Sequence, residues 1–215
     1  MIVDTVNYSI LYDQQKPLVF VGTTFHNTML YKYFSKTRSC YIFQVEEIEN
    51  NDQSWFDQHQ FMSAVSNVKT KYFLIEKIAN KHPHYFSVVG TGNVFADVDI
   101  GQNTFIQHYN IAVCEDIFIG NHCTIGNFNT FGHKTHINDY CHMSMYSLVN
   151  FNNIGIGTCM GSRTSIIGKP EQLTNTANYC NFALGSIVTK SVNNSGTYFG
   201  NRKLTDETSL TYKLL

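Results

Sequence analysis

The sequence predicts two folds in series: a small parallel α/β domain over residues 1–86 and a parallel β-helix over residues 87–192, closed by a cap or tail over 193–215. Three observations predict this. Large apolar residues recur every six positions at Ile119, Ile125, Phe131, Ile137, Met143 and Val149, with no slip. A small or slim residue follows each of them: Gly120, Gly126, Gly132, Asn138, Ser144 and Asn150. Upstream, short apolar runs alternate with amphipathic stretches in the order expected of a parallel sheet. A period of six is neither the helical 3.6 nor the strand period of two, so it marks a repeat.

Taken in order, residues 1–17 contain VNYSILY, which reads as an extra strand or an arm. Leu18 to Gly22 is an apolar strand ending in glycine, and the following TTFHNTMLYKYF reads as a helix. Cys40-Tyr-Ile-Phe and the following Val45-Glu-Glu-Ile are expected to form a second strand and its exit. Phe61 to Val65 is another apolar run, and Asn67 to Asn80 is an amphipathic helix. From about Tyr85 the six-residue register begins, with Val88, Val94, Ile100 and Ile106 expected to point inward. One extra residue is placed before Val113, and one drops out after Val149, so that Ile154, Met160 and Ile166 resume the period. Residues 168–179 read as a loop thrown out from a coil, and Asn181 to Val192 as one more turn.

Each hexad forms one short strand and a turn, and three hexads close a triangular coil. The large apolar residue points inward together with the fifth residue of each hexad, here Cys123, Asn129, Thr135, Cys141 or Ser147. The small residue after the aliphatic one relieves crowding at the bend. Counting by 18, Cys123, Cys141 and Cys159 read as one inward stack of small residues.

Composition narrows the function. With 15 basic against 16 acidic residues, the chain advertises no nucleic-acid or other polyanion partner. The 16 Phe and 13 Tyr suit broad packing surfaces, a subunit interface among them. Six cysteines without metal-type CxxC pairs read as reduced thiols of a cytoplasmic protein. No basic region precedes an apolar run at the start, and no stretch of about 18 apolar residues occurs, so no membrane association is expected.

The segments FMSAVSNVKTKYFLIEKI, GHKTHINDYCHMS, IGIGTCMGSRTSI, ALGSIVTKSV and GNRKL resemble the hexapeptide-repeat sugar O-/N-acyltransferases. That family includes bacillosamine and perosamine N-acetyltransferases and sialic acid O-acetyltransferases. The resemblance covers about residues 18–204. It implies a Rossmann-like nucleotide-sugar-binding domain, a left-handed β-helix, an acyl-CoA donor (acetyl-CoA first) without a metal, and a homotrimer. It places His133 at the catalytic base, where imidazole takes the acceptor's proton during attack on the thioester. It places His142 at the thioester end of the donor site, with CoA running past Asn150, Gly161 and Gly185. Gly22, His26, Asn67 and Asn127 fall at or beside its acceptor-binding positions. Transfer is expected to be direct, since no cysteine is expected to face outward as a nucleophile.

Three departures qualify the resemblance. The family's acidic residue after the histidine is Lys134 here; counting back 18 residues, Glu115 is expected to stack beneath His133 and hold it. The family's acceptor-gripping asparagine aligns with Gly126, leaving Asn127 beside it. The glycine-rich turn after the first strand is reduced to Gly22-Thr-Thr-Phe-His26-Asn, with less room for a phosphate. These departures keep an alternative open: a non-catalytic β-helix that binds a sugar nucleotide or a protein partner. A zinc site is disfavoured, because His108, His122 and His136 lack the close pair that three converging imidazoles need.

Overall fold

The central strand of the N-terminal layer, Leu18-Val-Phe-Val21, is apolar and buried throughout, which demands cover on both faces. The computed structural model of the chain describes residues 8–205 and supplies that cover. The VNYSILY reading is thereby settled as a strand for β1 (Tyr8–Leu11), while residues 1–7 and 206–215 lie outside the described residues. Strands β2 (Leu18–Val21), β3 (Cys40–Phe43), β4 (Gln60–Met62) and β5 (His84–Tyr85) pair in parallel in the order β3-β2-β4-β5. Helix α1 (Phe25–Phe34) covers Leu18, Phe20 and Met62. Helices α2 (Val45–Ile48), α3 (Gln53–Asp57) and α4 (Val68–Ile78) bury Val19, Val21 and Phe61 on the other side.

Local sequence explains these helices. Thr24 caps α1 and Asn67 caps α4, each side chain accepting a backbone N–H in the first turn. Cys40–Phe43 is the expected second strand, and its exit, Val45–Ile48, is helical. Glu47 reaches back to the Gln44 N–H at 2.6 Å, half of a capping box, and this turns the segment into one helical turn.

The β-helix has three faces. The seam face is a nine-stranded sheet that starts at β1 and β6 (Ser87–Gly90) and ends in a hairpin, Gly196–Phe199 with Arg202–Lys203. Both end pairings of this sheet are antiparallel, so its two ends are closed by a change of direction. A six-stranded and a five-stranded parallel sheet form the other two faces. Inward residues run Ile106, Ala112, Ile119, Ile125, Phe131, Ile137, Met143, Val149, Ile154, Met160 and Ile166 in one buried cluster. The predicted fifth-position residues Cys123, Asn129, Thr135, Cys141 and Ser147 are all buried beside them.

The first coil corrects the predicted register. Val94 and Val113 are exposed, while Phe95 and Ala112 pack inward, so the extra residue follows Ala112. Val88 faces outward into the core beneath the α/β layer, and Val89 takes the inner place. The residue dropped after Val149 has a second consequence. His142 pairs in register with Cys159, so Thr158 follows Cys141 in the inner stack and Cys159 turns to the outer face of the sheet. Counting by 18 across a dropped residue misplaced that thiol.

Candidate functional site

One residue per turn sits at a corner with positive φ, and most are not glycine: His122, Phe128, Lys134, Tyr140, Tyr146, Phe151 and Arg163. A bulky residue in this region is strained when alone. Here the coil hydrogen bonds above and below over-determine each turn, and the side chains form ladders along the corners. At the corner between the seam face and the six-stranded face, Tyr109, Phe128 and Tyr146 stack at 5.3 and 5.0 Å.

His133 lies at the next corner, between the six-stranded and five-stranded faces, two residues after inward Phe131. Its ring is half exposed and stacks on Phe151, with centroids 5.7 Å apart and planes at 14°. Glu115 stands one coil below as counted, but its carboxylate oxygen is 3.9 Å from Nδ1 of His133, an ionic approach rather than a hydrogen bond. A tighter pair lies three residues on, where Asp116 Oδ1 is 2.7 Å from Nε2 of His136. Spacing did not announce it, because 20 residues separate the two. Asn150 covers Gly132, where even a Cβ has no room, and its side-chain oxygen is buried without a hydrogen bond among the described residues.

The other predicted residues do not gather around His133. Asn127 sits at the aromatic corner, where its side-chain oxygen accepts the His108 N–H at 2.9 Å. Gly185 is at that corner too, with φ +71° and open space beyond. Gly161 packs against the backbone of the next coil, near Leu184 N and Phe182 O. His142 is on the outer row of the seam face, and its Nδ1 is buried without a partner among the described residues. Burial, with Lys71 and His26 adding to it, lowers the His142 pKa to about 4.

The N-terminal residues line the same seam. His26 puts Nε2 2.8 Å from Gln107 and Nδ1 3.3 Å from Ser66, while its ring lies on Phe105. Burial lowers its pKa also. Gly22 adopts φ +91°, and a Cβ there would press on Leu74. Buried Asn27 bridges the turn after β2, donating to Val21 O and Gly22 O at 2.7 Å and accepting from Ala64 N. Side chain and strand ends thus occupy space that glycines leave open in a phosphate-binding turn. Asn67 spends its side-chain oxygen on the cap of α4.

Lys71 carries the largest surprise. Positions 71, 74, 75 and 78 form the buried stripe of α4, and its first member is a lysine only 2% exposed. Its Nζ donates to His122 O at 3.0 Å and to Thr124 Oγ1. No carboxylate pairs with it among the described residues, and burial pulls its pKa down to about 7. A lysine breaking an apolar helical stripe was the available signal.

Cys159 faces outward next to His142, contrary to the expected absence of an outward thiol. Its environment still disfavours a nucleophile. Burial raises the thiol pKa and lowers that of the adjacent imidazole, the reverse of an activated pair. A separate concavity of about 760 Å³, bordered by Tyr41, Phe43, Trp55 and His59, holds none of the predicted site residues. No helix among the described residues is long and apolar enough to cross a membrane.

No protein-family model and no curated protein matches the chain. Solved structures do. WeeI from Acinetobacter baumannii AYE is similar over 88% of this chain and all of its own, with TM-score 0.65 and 15% identity. The acetyltransferase domain of PglB from Neisseria gonorrhoeae FA1090 matches over the same shares, with TM-score 0.66 and 13% identity. PerB from Caulobacter crescentus, solved with CoA and GDP-perosamine, matches 91% of this chain and 98% of its own, with TM-score 0.59 and 11% identity. At these identities the likeness establishes a fold shared with WeeI, the PglB acetyltransferase domain and PerB.

Proposed function

We propose that the chain is an acyl-CoA-dependent acyltransferase, with acetyl-CoA as donor, acting on an amino or hydroxyl group of a nucleotide-linked or surface-polysaccharide sugar. The observation that carries this reading is a half-exposed His133 at a β-helix corner, above Glu115, on a fold shared with PerB, which binds CoA and GDP-perosamine, and with the PglB domain, which binds acetyl coenzyme A.

In this reading the acceptor N–H or O–H gives its proton to an imidazole nitrogen of His133 as the acceptor lone pair attacks the thioester carbonyl. The tetrahedral oxyanion collapses, the C–S bond breaks, and the imidazolium returns the proton to the leaving CoA sulfur. Glu115 stands within ionic reach of the ring, 3.9 Å from Nδ1. Direct transfer fits the seam chemistry, since Cys159 lacks an activating base.

The scattering of the predicted residues supports a homotrimer of left-handed β-helices. The six-stranded face exposes Val94, Ile111, Leu148 and Ile187, and the aromatic ladder of Tyr109, Phe128 and Tyr146 borders it. Thr130 and Ser165 interrupt this row, and exposed apolar side chains aligned on one face mark an interaction surface. When three such faces surround a common axis, the two edges of each face meet the opposite edges of its neighbours. The His133 corner of one subunit then faces the aromatic corner of the next. Asn150 joins His133 on one wall; Asn127, Gly161 and Gly185 line the other, with His142, His26, Gly22 and Asn67 in the adjoining seam. CoA would run along this groove and the acceptor would enter from the seam.

Calorimetric titration with acetyl-CoA, beside His133→Asn, tests the donor site; turnover with a panel of amino-sugar nucleotides tests the chemistry. Both proteins should bind the donor, and the variant should lose about 10² to 10⁴ in rate. Sugar-nucleotide binding without turnover would favour the non-catalytic alternative, and a monomeric mass in solution would remove the shared groove.

A further inference from the structure

The seam holds an arrangement that the proposed reaction has not yet used. Lys71 reaches from the core-facing side of α4 to the β-helix and binds it twice, at the corner residue His122 through its O and at the first strand residue after it, Thr124, through Oγ1. Thr124 in turn donates to Val65 O, in the segment between β4 and α4. Thr124 is the register partner of His142. The same helix is capped by Asn67, and Ser66 beside it touches His26. One amine thus joins the N-terminal layer to the strand next to His142.

The groups around it are nearly all basic or neutral. Helix α1 contributes His26, β5 contributes Tyr85, and the β-helix contributes His122, Cys123, Tyr140, Cys141 and His142. The acidic groups nearby, Glu76 and Asp139, act on Tyr85 and Tyr140. A buried cation without a counter-ion is costly, and an apolar side chain of similar length would pack there more cheaply. Stability alone therefore does not account for a lysine at this place.

We propose that Lys71 is a positioning residue of the acyl transfer: it fixes the acceptor-side helix α4 on the β-helix and keeps His142 and His26 as neutral hydrogen-bonding imidazoles. This rests on the acyltransferase reading. A nearby ammonium opposes protonation of both rings. A neutral imidazole offers one donor and one acceptor, which suits a hydroxyl or amide on a substrate, whereas an imidazolium offers donors only.

Lys71→Met and Thr124→Val, with Lys71→Arg as the conservative control, test this on the full chain. Lys71→Met should melt no lower than the wild type while the acceptor KM rises about tenfold or more and the acetyl-CoA KM stays within about threefold. Thr124→Val should move the acceptor KM the same way, and Lys71→Arg should restore most of it. A purely structural lysine predicts the reverse: lost stability with kinetic constants of the folded fraction unchanged. NMR titration of the histidines needs no turnover. In Lys71→Met, His142 and His26 should titrate at higher pH than in the wild type, with burial still holding both below the ordinary value. Unchanged titration, or an acceptor KM within threefold of wild type, overturns the proposal. Absence of turnover in the wild type would instead sink the acyltransferase reading, and the titration would still decide whether Lys71 governs these imidazoles.

Discussion

His133 and His142 are nine residues apart in one repeat, yet they occupy opposite environments. The first stands half exposed at a corner, stacked on Phe151, with acid within ionic reach. The second is packed under the α/β layer beside a lysine, with one nitrogen unpaired among the described residues. Water reaches the half-exposed ring of His133, which suits the base proposed for it. Burial keeps solvent from the seam, and no carboxylate among the described residues pairs with its lysine, so its imidazoles are held neutral. One repeat therefore presents a solvated histidine and a covered one, the difference being which face the coil leaves covered.

Acid should break the seam and spare the corner, and this is the largest expected effect. His122 and His142 both have pKa values lowered by burial from 6.5 to about 4. The unfolded chain then binds more protons between those values, so stability is full above pH 6.5 and falls as pH drops toward 4. Each ring contributes on the order of 3 kcal/mol, a large share of a typical stability of about 5–15 kcal/mol. The lowered pKa of Lys71 has the same sign at higher pH: stability should still rise above pH 7. Buried thiols such as Cys141, with raised pKa, oppose this once unfolded cysteines ionise near pH 8.5. Denaturant midpoints from pH 4 to 9 should peak near pH 8, above the sequence pI of about 6.7. A flat profile between pH 4 and 6.5 would show the seam to be solvated after all.

Packing changes in the coil should come next. Phe131 is inward and 1% exposed, so Phe131→Ala should cost about 3–5 kcal/mol, whereas exposed Tyr146 should cost about 1 kcal/mol through its ring contact with Phe128. Equal losses in urea melts would mean that the ladder, and not the inner stack, holds the coils together. Thr158, fully buried with a hydroxyl that finds no partner among the described residues, sharpens the point. Thr158→Val should be neutral or stabilising by about 1 kcal/mol, because a wasted polar group is removed at constant shape.

These contrasts track what could be read in advance. The inner rows of the β-helix were legible because both inward positions of each hexad obey one period, and any slip would bury polar atoms. The outward rows carry no such constraint, so the exposed row of Val94, Ile111, Leu148 and Ile187 was not visible as a unit. Insertions and deletions defeat counting: Glu115 lies 18 residues below His133 in an unbroken stretch and was found, while Cys159 lies across a deletion and was misplaced. Lys71 was read as part of an amphipathic helix because its burial depends on a surface more than 50 residues away in sequence. Asn27 was missed for a similar reason, since the strand ends that it bridges belong to different parts of the chain.

The smallest expected effect concerns the corner itself. Glu115 is mostly exposed and 3.9 Å from His133, so solvent screens it and no hydrogen bond fixes the ring. The stacked Phe151, whose N–H also donates to His133 O at 2.8 Å, holds the imidazole more firmly than the acid does. Glu115→Gln should therefore lower kcat by less than about tenfold. Phe151→Ala should cost more than Glu115→Gln, because it frees the ring to rotate out of the groove. A loss of about a hundredfold in Glu115→Gln would reverse that order. It would mean that the carboxylate closes onto His133 when substrate excludes water, making the corner, once occupied, electrostatically as dry as the seam.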